Sequence, residues 1–289
     1  MQGNEAGKAT TIMQKFLKGS PVNNLSPMPV VIGMTATPER FDNLIKGTSS
    51  TRYPVAVTAD EVRSSGLLKD RIIITYPDNQ SINKDMAVLQ AAADEWKSKW
   101  DHWEQYCYEQ HYSYVNPVFV IQVLNTKGDK VSETDLDDCL VKIEERTGIR
   151  FQDGDVVHAF GDTSSLLING LTVPYEEPSR IADNKHIKVV FFKESLSTGW
   201  DCPRAETMMS FRRAEDATYI AQLLGRMVRT PLQNRVLVDD SLNDVHLYLP
   251  YFDEETVKEV IDSLQRTEGG DIPTVVEGES YENPTYTTW

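Results

Sequence analysis

The sequence has few cysteines and no long apolar run, and each of these absences excludes a class of protein. Its 289 residues include three cysteines, Cys107, Cys139 and Cys202, none of them in a CxxC pair. This count excludes a disulfide scaffold and a cysteine-rich zinc site. No apolar run approaches the roughly 18 residues of a membrane span, and the first residues, MQGNEAGKATT, lack the apolar core of a signal peptide. We therefore expect a cytoplasmic protein without membrane contacts.

The net charge of −15, from 29 basic and 44 acidic residues, is concentrated at one end of the chain. Residues 239–289 hold thirteen acidic and two basic side chains, a balance of −11. Residues 179–235 hold ten basic and six acidic side chains, a balance of +4. The overall acidity, which by itself argues against a nucleic-acid partner, therefore does not exclude one for the middle of the chain.

Short apolar runs alternate with helical patterns, which predicts an α/β fold with a mostly parallel sheet and helices on both faces. The expected strands are Pro29–Thr37, Arg71–Tyr76, Pro117–Leu124, Ile187–Phe192, Thr207–Phe211 and Val245–Leu249. The expected helices cover roughly 81–113, 132–147, 216–229 and 253–266. In the first of these helices Trp96, Trp100 and Trp103 form a stripe, which we interpret as a core face rather than a base-stacking platform.

The segment Asp216–Thr230, DATYIAQLLGRMVRT, is the most informative. On a helix, Gln222, Arg226 and Arg229 fall within about 60° of one another, and apolar side chains occupy the other side. Gly225 costs such a helix about 1 kcal/mol relative to alanine, which is understandable where another group approaches closely. An amide and two cations on one face suit a polyphosphate. An ordinary solvated helix face remains the alternative.

Two further segments place polar residues after apolar strands. In VVFFKESLSTGWD the strand leads to Thr198 and Gly199, which can present a hydroxyl and backbone donors, and to Asp201, which can accept from a ribose hydroxyl. Ligands of open parallel sheets bind beyond the carboxyl ends of strands, where we expect this loop. In VIGMTATPER the strand ends at Thr35, Ala36 and Thr37. Capped turns are the alternative interpretation of both segments.

Taken together in this order, the three segments resemble the superfamily-two helicases and translocases. TAT corresponds to their third motif, STGWD to the fifth and QLLGRMVR to the sixth, which fits Gln-x-x-Gly-Arg-x-x-Arg in full. The contexts TATPERF and GWDCP are most similar to the motor subunit of type III restriction enzymes and related DEAD/DEAH-box proteins. The resemblance spans roughly residues 1–250 and is specific around 31–45 and 187–231.

The resemblance implies two RecA-like domains with ATP and Mg²⁺ between them and DNA across the top. It implies the end of the first domain at 1–45, a linker at 46–58, the second domain at 59–250 and an acidic helix and tail at 251–289. The tail is expected to be irregular from residue 267. Partners implied are DNA, the first motor domain and a modification (methyltransferase) subunit.

The same resemblance suggests roles for individual residues. Arg229 would be the arginine finger, with Arg226 and Gln222 contacting ATP beside Gly225. Asp201 would lie near the ribose of ATP. The nucleic-acid and coupling positions would be Thr198, Gly199 and the third-motif residues Thr35, Ala36 and Thr37.

Two elements of the family pattern are absent from the sequence. There is no GxxxxGK[ST] phosphate-binding loop, since around Gly7-Lys8 the spacing is wrong and Ala9 replaces the required Ser/Thr. There is also no DEAD or DEAH box. We therefore expect the last strand of a first domain plus a complete second domain, without ATPase activity of its own. The alternatives are a non-enzymatic, degenerate RecA-like module and an unrelated nucleotide-binding enzyme.

Overall fold

The computed structural model describes residues 8–34, 42–43, 45–46, 51–77, 84–126, 131–197, 200–212, 223–265 and 275–281. They belong to two compact units, one formed by described residues up to Val57 and the other by those from Thr58 onward. Within these ranges no helix is both long and apolar enough to cross a membrane.

The first unit contains helix α1 (Lys8–Lys18) and a tight turn closed by an antiparallel bridge between Ser20 and Leu25. The predicted buried strand at Pro29–Thr37 is wrong for its described part, because 29–34 is irregular and Val30, Ile32 and Met34 are exposed. A parallel strand takes its hydrogen bonds from neighbouring strands. The described part of this unit contains no other strand that could supply them.

The second unit is an α/β domain. Its helices are α2 (Ala59–Ser65), α3 (Lys84–Gln110), α4 (Leu136–Thr147) and α5 (Glu254–Gln265), with a further helical segment at 223–227. Its strands are β1 (Arg71–Pro77), β2 (Phe119–Gln122), β3 (Val156–Ala159), β4 (Leu166–Ile168), β5 (Leu171–Val173), β6 (Val189–Phe192), β7 (Thr207–Ser210), β8 (Asp244–Tyr248) and β9 (Val275–Tyr281).

Seven of the strands form one parallel sheet in the order β3-β6-β2-β7-β8-β1-β9, while β4 and β5 form a small antiparallel hairpin. The predicted α/β fold, a parallel sheet with helices on both faces, is therefore confirmed. The five strands expected between residues 71 and 249 are all present, each within about two residues of its expected ends.

Alternate residues of the strands point into two separate cores, one on each face of the sheet. Ile72, Val120 and Leu247 lie in the first core, with Val257 and Val260 of α5. The second core contains their strand neighbours and the apolar sides of α3 and α4. Strands buried on both faces must be apolar at nearly every position, which is why they are continuous apolar runs in the sequence.

The tryptophan stripe of α3 is part of the core, as predicted. Trp96 and Trp103 are fully buried, and Trp96 stacks on Phe119 with ring centroids 5.9 Å apart. The indole N–H of Trp96 donates to the carbonyl of Pro117 at 3.0 Å. Large aromatic surfaces with a satisfied N–H are typical of packing between a helix and a sheet.

Helix α4 begins later than the sequence predicted. The N-cap is Asp135, whose carboxylate accepts from the backbone N–H of Asp138 at 3.0 Å. Ser132 instead donates its hydroxyl to the carbonyl of Leu124 at 2.7 Å. The predicted end is correct, because Gly148 adopts the left-handed conformation that closes the helix.

The acidic segment after residue 266 is not irregular throughout. Residues Val275–Tyr281 form β9, which pairs in parallel with the whole of β1. Arg71 on β1 lies 3.8 Å from the carboxylate of Glu277, and Val276 packs against the first core. The alternation of Glu277 and Glu279 with small residues hid this edge strand, since an edge strand buries little of its surface.

A buried polar layer lies at the amino ends of β1, β7 and β8. Lys69 forms an ion pair with Glu206, both with fully buried side chains, and Glu206 also accepts from the indole N–H of Trp103 at 2.6 Å. Lys99 donates to the backbone carbonyls of Ser241 and Asp244. Removing one partner of such a buried pair typically costs about 3–5 kcal/mol.

His246 of β8 borders this layer. Its Nε2 lies 3.2 Å from a carboxylate oxygen of Glu95, and the side chain is 14% exposed. Burial, together with the nearby charges of Lys99, Arg71 and Lys69, lowers the pKa of His246 to about 3. Burial also raises the pKa of Glu95. His246 is therefore neutral in the folded protein over the whole physiological range.

This burial predicts a specific loss of stability in acid. In the unfolded chain His246 takes up a proton near pH 6.5, but in the folded protein only near pH 3. Its contribution is therefore complete above pH 6.5 and is lost as the pH falls, by about 1.4 kcal/mol per pH unit. His246→Gln, which keeps an N–H donor for Glu95, should remove this slope between pH 6.5 and 5 in urea unfolding.

The exposed His186 provides the matched control, since His186→Gln should leave the wild-type pH dependence unchanged. An unaltered slope in His246→Gln would show that its proton uptake on unfolding does not contribute to acid sensitivity.

Candidate functional site

The described end of the QLLGRMVR helix is amphipathic. Leu223, Leu224 and Met227 are fully buried in the first core, whereas Gly225 and Arg229 are exposed and Arg226 is half-buried. This division into an apolar and a polar side agrees with the prediction for 223–227. The helix ends at Met227 and not at 229 as predicted, so Arg229 lies beyond the helix and not on the helical face that was expected to carry it. No described atom lies within 4 Å of the position that a Cβ would take on Gly225, so that side of the helix faces open space.

The backbone around Arg229 is fixed to the chain segment that precedes β1. Arg229 forms an antiparallel bridge with Leu68. On either side of this bridge, the N–H of Lys69 donates to the carbonyl of Val228 at 2.6 Å. The hydroxyl of Thr230 donates to the carbonyl of Gly66 at 2.9 Å. Gly66 has φ +71°, and a Cβ there would lie 2.5 Å from the backbone nitrogen of Arg235. These contacts place Arg229 at the amino edge of the sheet.

Both described arginines of the segment contact the end of the STGWD loop. Arg226 donates through Nη1 to the carbonyl of Trp200 at 3.0 Å, and Arg229 forms an ion pair with Asp201. Trp200 itself is fully buried in the first core and anchors the loop. The structure thus brings Arg226 and Arg229 together with Trp200 and Asp201, whereas Gly225 makes no contact with this loop.

The other predicted site residues cannot be placed in this way. Gln222, Thr198 and Gly199 lie outside the described residues, as do Thr35, Ala36 and Thr37.

The STGWD loop was expected at the carboxyl ends of the strands. Instead, it begins at the carboxyl ends of the strands and finishes near their amino ends. Ser195, directly after β6, donates its hydroxyl to the carbonyl of Ala159 at the end of β3. Asp201 has returned toward the amino edge, because it pairs with Arg229 and the chain enters β7 at Thr207. Only the first part of the loop is therefore at the edge where open parallel sheets bind ligands.

The Arg229–Asp201 pair is held weakly. The side chain of Arg229 is 58% exposed and that of Asp201 47% exposed. Ion pairs between exposed side chains contribute about 0–1 kcal/mol and are screened by salt. An anion with several oxygens can therefore compete with Asp201 for the Arg229 guanidinium, which binds carboxylate and phosphate groups through two parallel hydrogen bonds.

Arg204, three residues beyond Asp201, fixes the position of this loop from inside the protein. Its buried guanidinium donates to backbone carbonyls and is not paired with a carboxylate among the described residues. The accepting carbonyls are those of Asn116, Ile181, Ala182, Asn184 and Ile187, at 2.5–3.2 Å. Burial lowers the pKa of Arg204. Together these bonds join the starts of β2, β6 and β7.

A second polar group, which the sequence did not suggest, lies at the carboxyl edge between β2 and β7. The chain leaves β2 toward α4 on one face of the sheet and leaves β7 toward 223–227 on the other, so this is a topological switch point. Buried Gln122 donates to the carbonyl of Lys193 at 2.9 Å and accepts from the Ser210 hydroxyl at 2.7 Å.

Beyond this pair, Arg212 donates to Asn125 at 2.7 Å and to Glu194 at 2.9 Å, and its side chain is 25% exposed. The available sequence signal was a glutamine inside the apolar run FVIQVL.

His102, Asp239 and Ser241 have the composition of a hydrolytic triad but not its geometry. The carboxylate of Asp239 and the hydroxyl of Ser241 both contact the same ring nitrogen, Nδ1, at 2.7 and 2.9 Å. A triad needs the acid on one ring nitrogen and the nucleophile on the other. Here Asp239 caps a short 3₁₀ helix, Asp240–Asn243, and the histidine joins that cap to α3.

Comparison with known proteins gives weak similarities to solved structures. No family model matches the chain, and no curated protein is significantly similar in sequence. A fragment from Vibrio vulnificus YJ016, assigned to the HsdR subunit of a type I restriction enzyme, is 10% identical, with a TM-score of 0.41 over 88% of this chain and 43% of that chain.

The ATP-dependent type ISP restriction-modification enzyme LlaBIII bound to DNA is 15% identical, with a TM-score of 0.43 over 80% of this chain and 17% of that chain. The chain thus spans less than half of either structure. At these scores the similarities identify no function.

The role of Arg204 is testable by substitution. Arg204→Met leaves five buried carbonyls without this donor, each at about 1–3 kcal/mol, but it also removes a buried charge whose desolvation costs several kcal/mol. We therefore expect a net loss of about 3–5 kcal/mol in urea unfolding. Arg204→Lys, with a shorter reach and fewer donors, should lose less. Arg180→Met, at an exposed side chain, is the control and should change stability by less than about 0.5 kcal/mol. A loss below about 1 kcal/mol in Arg204→Met would refute the role of these hydrogen bonds.

Proposed function

We propose that this chain is a segment of an ATP-dependent DNA helicase or translocase that acts in prokaryotic restriction or phage defence. Its part is to supply arginines to an ATP site that it shares with a domain carrying the phosphate-binding loop and the acidic box. The observation that carries the proposal is the convergence of Arg226 and Arg229 on Trp200 and Asp201, which joins the sixth-motif and fifth-motif segments into one site.

The chemistry of the site fits a nucleoside triphosphate. Phosphoryl transfer is catalysed mainly by positioning and by stabilising negative charge on the transferred group. Arg229, more than half exposed at the edge of the unit, is the group suited to act as the arginine finger. Arg226, tied to the loop backbone, is suited to position the phosphates together with Gln222.

Within this proposal Asp201 has two successive roles. It pairs with Arg229 in the free chain, and it accepts from the ribose once the phosphates have taken over the guanidinium. Because an exposed ion pair contributes little free energy, breaking the Arg229–Asp201 pair in this exchange costs little free energy.

Mg²⁺ belongs to the other half of the site in this proposal. Among the described residues there is no group of three His, Cys, Asp or Glu side chains that could hold a metal ion. The phosphates of ATP and the acidic box of the other domain are the natural oxygen ligands for this cation.

The carboxyl edge is where we place DNA. Arg212 lies there beside Asn125 and Glu194, with the first part of the fifth-motif loop, and Thr198 and Gly199 follow in that loop. Arginine and backbone donors are typical contacts to phosphates of nucleic acid. A modification subunit and the first motor domain are the protein partners of the same proposal.

The central test is the ATPase activity of this chain together with the polypeptide that carries the phosphate-binding loop, in the presence of DNA. Arg229→Ala should lower kcat by about 10³ or more, since arginine fingers contribute about 10³–10⁵. Arg229→Lys should not restore the activity, because lysine lacks the planar fork. Arg150→Ala, on an exposed side chain outside the site, should be as active as wild type.

Near-wild-type turnover of Arg229→Ala would reject the finger assignment. No ATP hydrolysis by the reconstituted wild type would instead favour the alternative of a non-enzymatic module that binds nucleic acid or a protein.

A second test concerns DNA. Arg212→Ala should weaken DNA binding and reduce the slope of log K against log[salt] by about 1, as expected for the loss of one phosphate contact. ATPase activity measured without DNA should not change. An unchanged salt slope in fluorescence anisotropy titrations would remove Arg212 from the DNA contact surface.

A further inference from the structure

Four aromatic side chains form a row along the last turns of α3. The chain leaves this helix at His111, which adopts a left-handed conformation (φ +58°), and continues as an extended segment toward β2. Tyr112 of this segment stacks on Tyr106 with ring centroids 5.8 Å apart, and Tyr114 contacts Trp100 edge to face at 6.0 Å. We call Trp100, Tyr106, Tyr112 and Tyr114 the aromatic row.

All four rings of the aromatic row reach the surface. Tyr112 is 45% exposed and Tyr114 39% exposed, while Trp100 and Tyr106 are half-buried. Beneath the row, the buried Trp103 contacts Tyr106 edge to face at 5.8 Å and fixes its position. A contiguous aromatic surface of this kind, rimmed by polar residues, is typical of a protein-binding surface.

The spacing within the row selects the conformation of a partner. Its two pairs are anchored on α3 by Trp100 and Tyr106, whose positions six residues apart in the sequence place them about 9 Å apart along the helix axis. A polyproline II helix has three residues per turn and a rise of about 3.1 Å, so every third residue returns to the same side after about 9 Å. Prolines at positions i and i+3 of such a segment therefore each contact one aromatic pair.

The row also offers the hydrogen bonds that such a segment needs. A polyproline II helix has no internal hydrogen bonds, so its carbonyls require donors from elsewhere. The hydroxyls of Tyr106, Tyr112 and Tyr114 have no hydrogen-bond partner among the described residues. Burial raises the pKa of Tyr106 and Tyr114, so both keep their protons at neutral pH and can donate.

Carboxylates beside the row favour a basic partner. Asp101, Glu104 and Glu109 are exposed on the same turns of α3. Asp101 pairs with Lys97, and Glu109 accepts from a neighbouring glutamine, whereas Glu104 has no such partner in the part of the chain that the structure describes. Single-stranded nucleic acids also stack on aromatic rings, but these carboxylates would repel their phosphates.

An open cavity of about 210 Å³ adjoins the row. Tyr114 is one of its walls, and Leu232, Pro203 and Pro231 add apolar surface. Lys185 also lines the cavity, which therefore disfavours a basic residue and suits an uncharged ring such as that of proline. Binding energy in protein interfaces is concentrated where apolar groups fill such pockets.

We infer that the aromatic row binds a proline-rich, basic segment of a partner protein in the polyproline II conformation. Prolines at i and i+3 of that segment pack on the two aromatic pairs. An arginine or lysine beside them pairs with Glu104, and the tyrosine hydroxyls donate to the carbonyls of the segment. The inference goes beyond the proposed function, since none of these residues belongs to the proposed ATP site.

The experiment uses the chain as it is and follows fluorescently labelled probes by anisotropy. The arginine probe consists of three Pro-Pro-Ala repeats and two arginines. The glutamine probe carries two glutamines instead of the arginines, and the serine probe has every proline of the arginine probe replaced by serine. A thymidine oligonucleotide tests the alternative of a nucleic-acid surface.

The arginine probe should bind saturably to wild type. The serine probe has the same charge but is not preorganised as a polyproline II helix, so it should bind about tenfold or more weakly. The glutamine probe should bind about threefold more weakly, as expected for the loss of an exposed ion pair. The oligonucleotide should not compete with the arginine probe.

Tyr112→Ala and Tyr114→Ala should each lower the affinity for the arginine probe about fivefold or more, since each removes a ring and its hydroxyl. Tyr114→Phe, which keeps the ring and its packing, should lose less. Tyr108→Ala is the matched control, because Tyr108 is 84% exposed on the same helix but lies outside the row. Circular dichroism and thermal unfolding establish that each variant is folded.

Glu104→Gln should weaken binding of the arginine probe and leave binding of the glutamine probe unchanged. Glu109→Gln is its matched control, since the Glu109 carboxylate is hydrogen-bonded within α3, and it should bind both probes as wild type does.

Absence of saturable binding of the arginine probe to wild type at millimolar concentration would overturn the inference. Equal binding of the serine probe, or an affinity that is unchanged in both Tyr112→Ala and Tyr114→Ala, would overturn it as well. Binding of the oligonucleotide with the same dependence on these tyrosines would identify a nucleic-acid surface in place of a peptide-binding one.

Discussion

The buried guanidinium of Arg204 is surrounded by five backbone carbonyls from the segments that lead into β2 and β6. These segments precede the strands and lie outside the regular pairing of the sheet, and the arginine supplies donors to their buried carbonyls. The loop that carries Trp200 and Asp201 enters β7 through the same residue. We therefore expect the position of Asp201, and through it the orientation of Arg229, to depend on the buried Arg204 side chain.

This arrangement separates two polar regions on one sheet. At the amino edge, the buried Lys69–Glu206 pair and Arg204 fix the backbone, and the exposed Arg229–Asp201 pair remains free to exchange partners. At the carboxyl ends of the strands, Gln122 and Ser210 form a hydrogen bond at the topological switch point, close to Arg212. The fifth-motif loop runs from one edge to the other. The chain therefore connects Asp201, the partner of Arg229, over a few residues to the carboxyl ends of the strands, where we place DNA.

The sequence predicted the parallel sheet because strands buried on both faces are continuous apolar runs, as in IKVVFF and RIIITY. The sequence did not predict β9, because an edge strand buries too little apolar surface to need a continuous apolar run. It wrongly predicted a strand at 29–34, because this apolar run has no neighbouring strands among the described residues. The helical spacing predicted a shared face for Arg226 and Arg229, but the helix ends at Met227 and Arg229 is held by its bridge to Leu68. That spacing did not indicate that Asp201 pairs with Arg229. This contact depends on the path of the loop between β6 and β7, which leads from the carboxyl ends of the strands back to their amino ends.

The charge distribution acquires a structural meaning from the sheet order. The acidic end of the chain is not a separate tail, because β9 pairs with β1 and brings Glu277 near Arg71 at the far edge of the sheet. Asp201 and Arg212 lie beside the strands β6, β2 and β7. In the strand order these three strands are on the other side of the sheet from β9. Separated charges are screened over about 8 Å at physiological ionic strength. The net charge of −15 therefore does not describe the local electrostatic potential around Arg226 and Arg229.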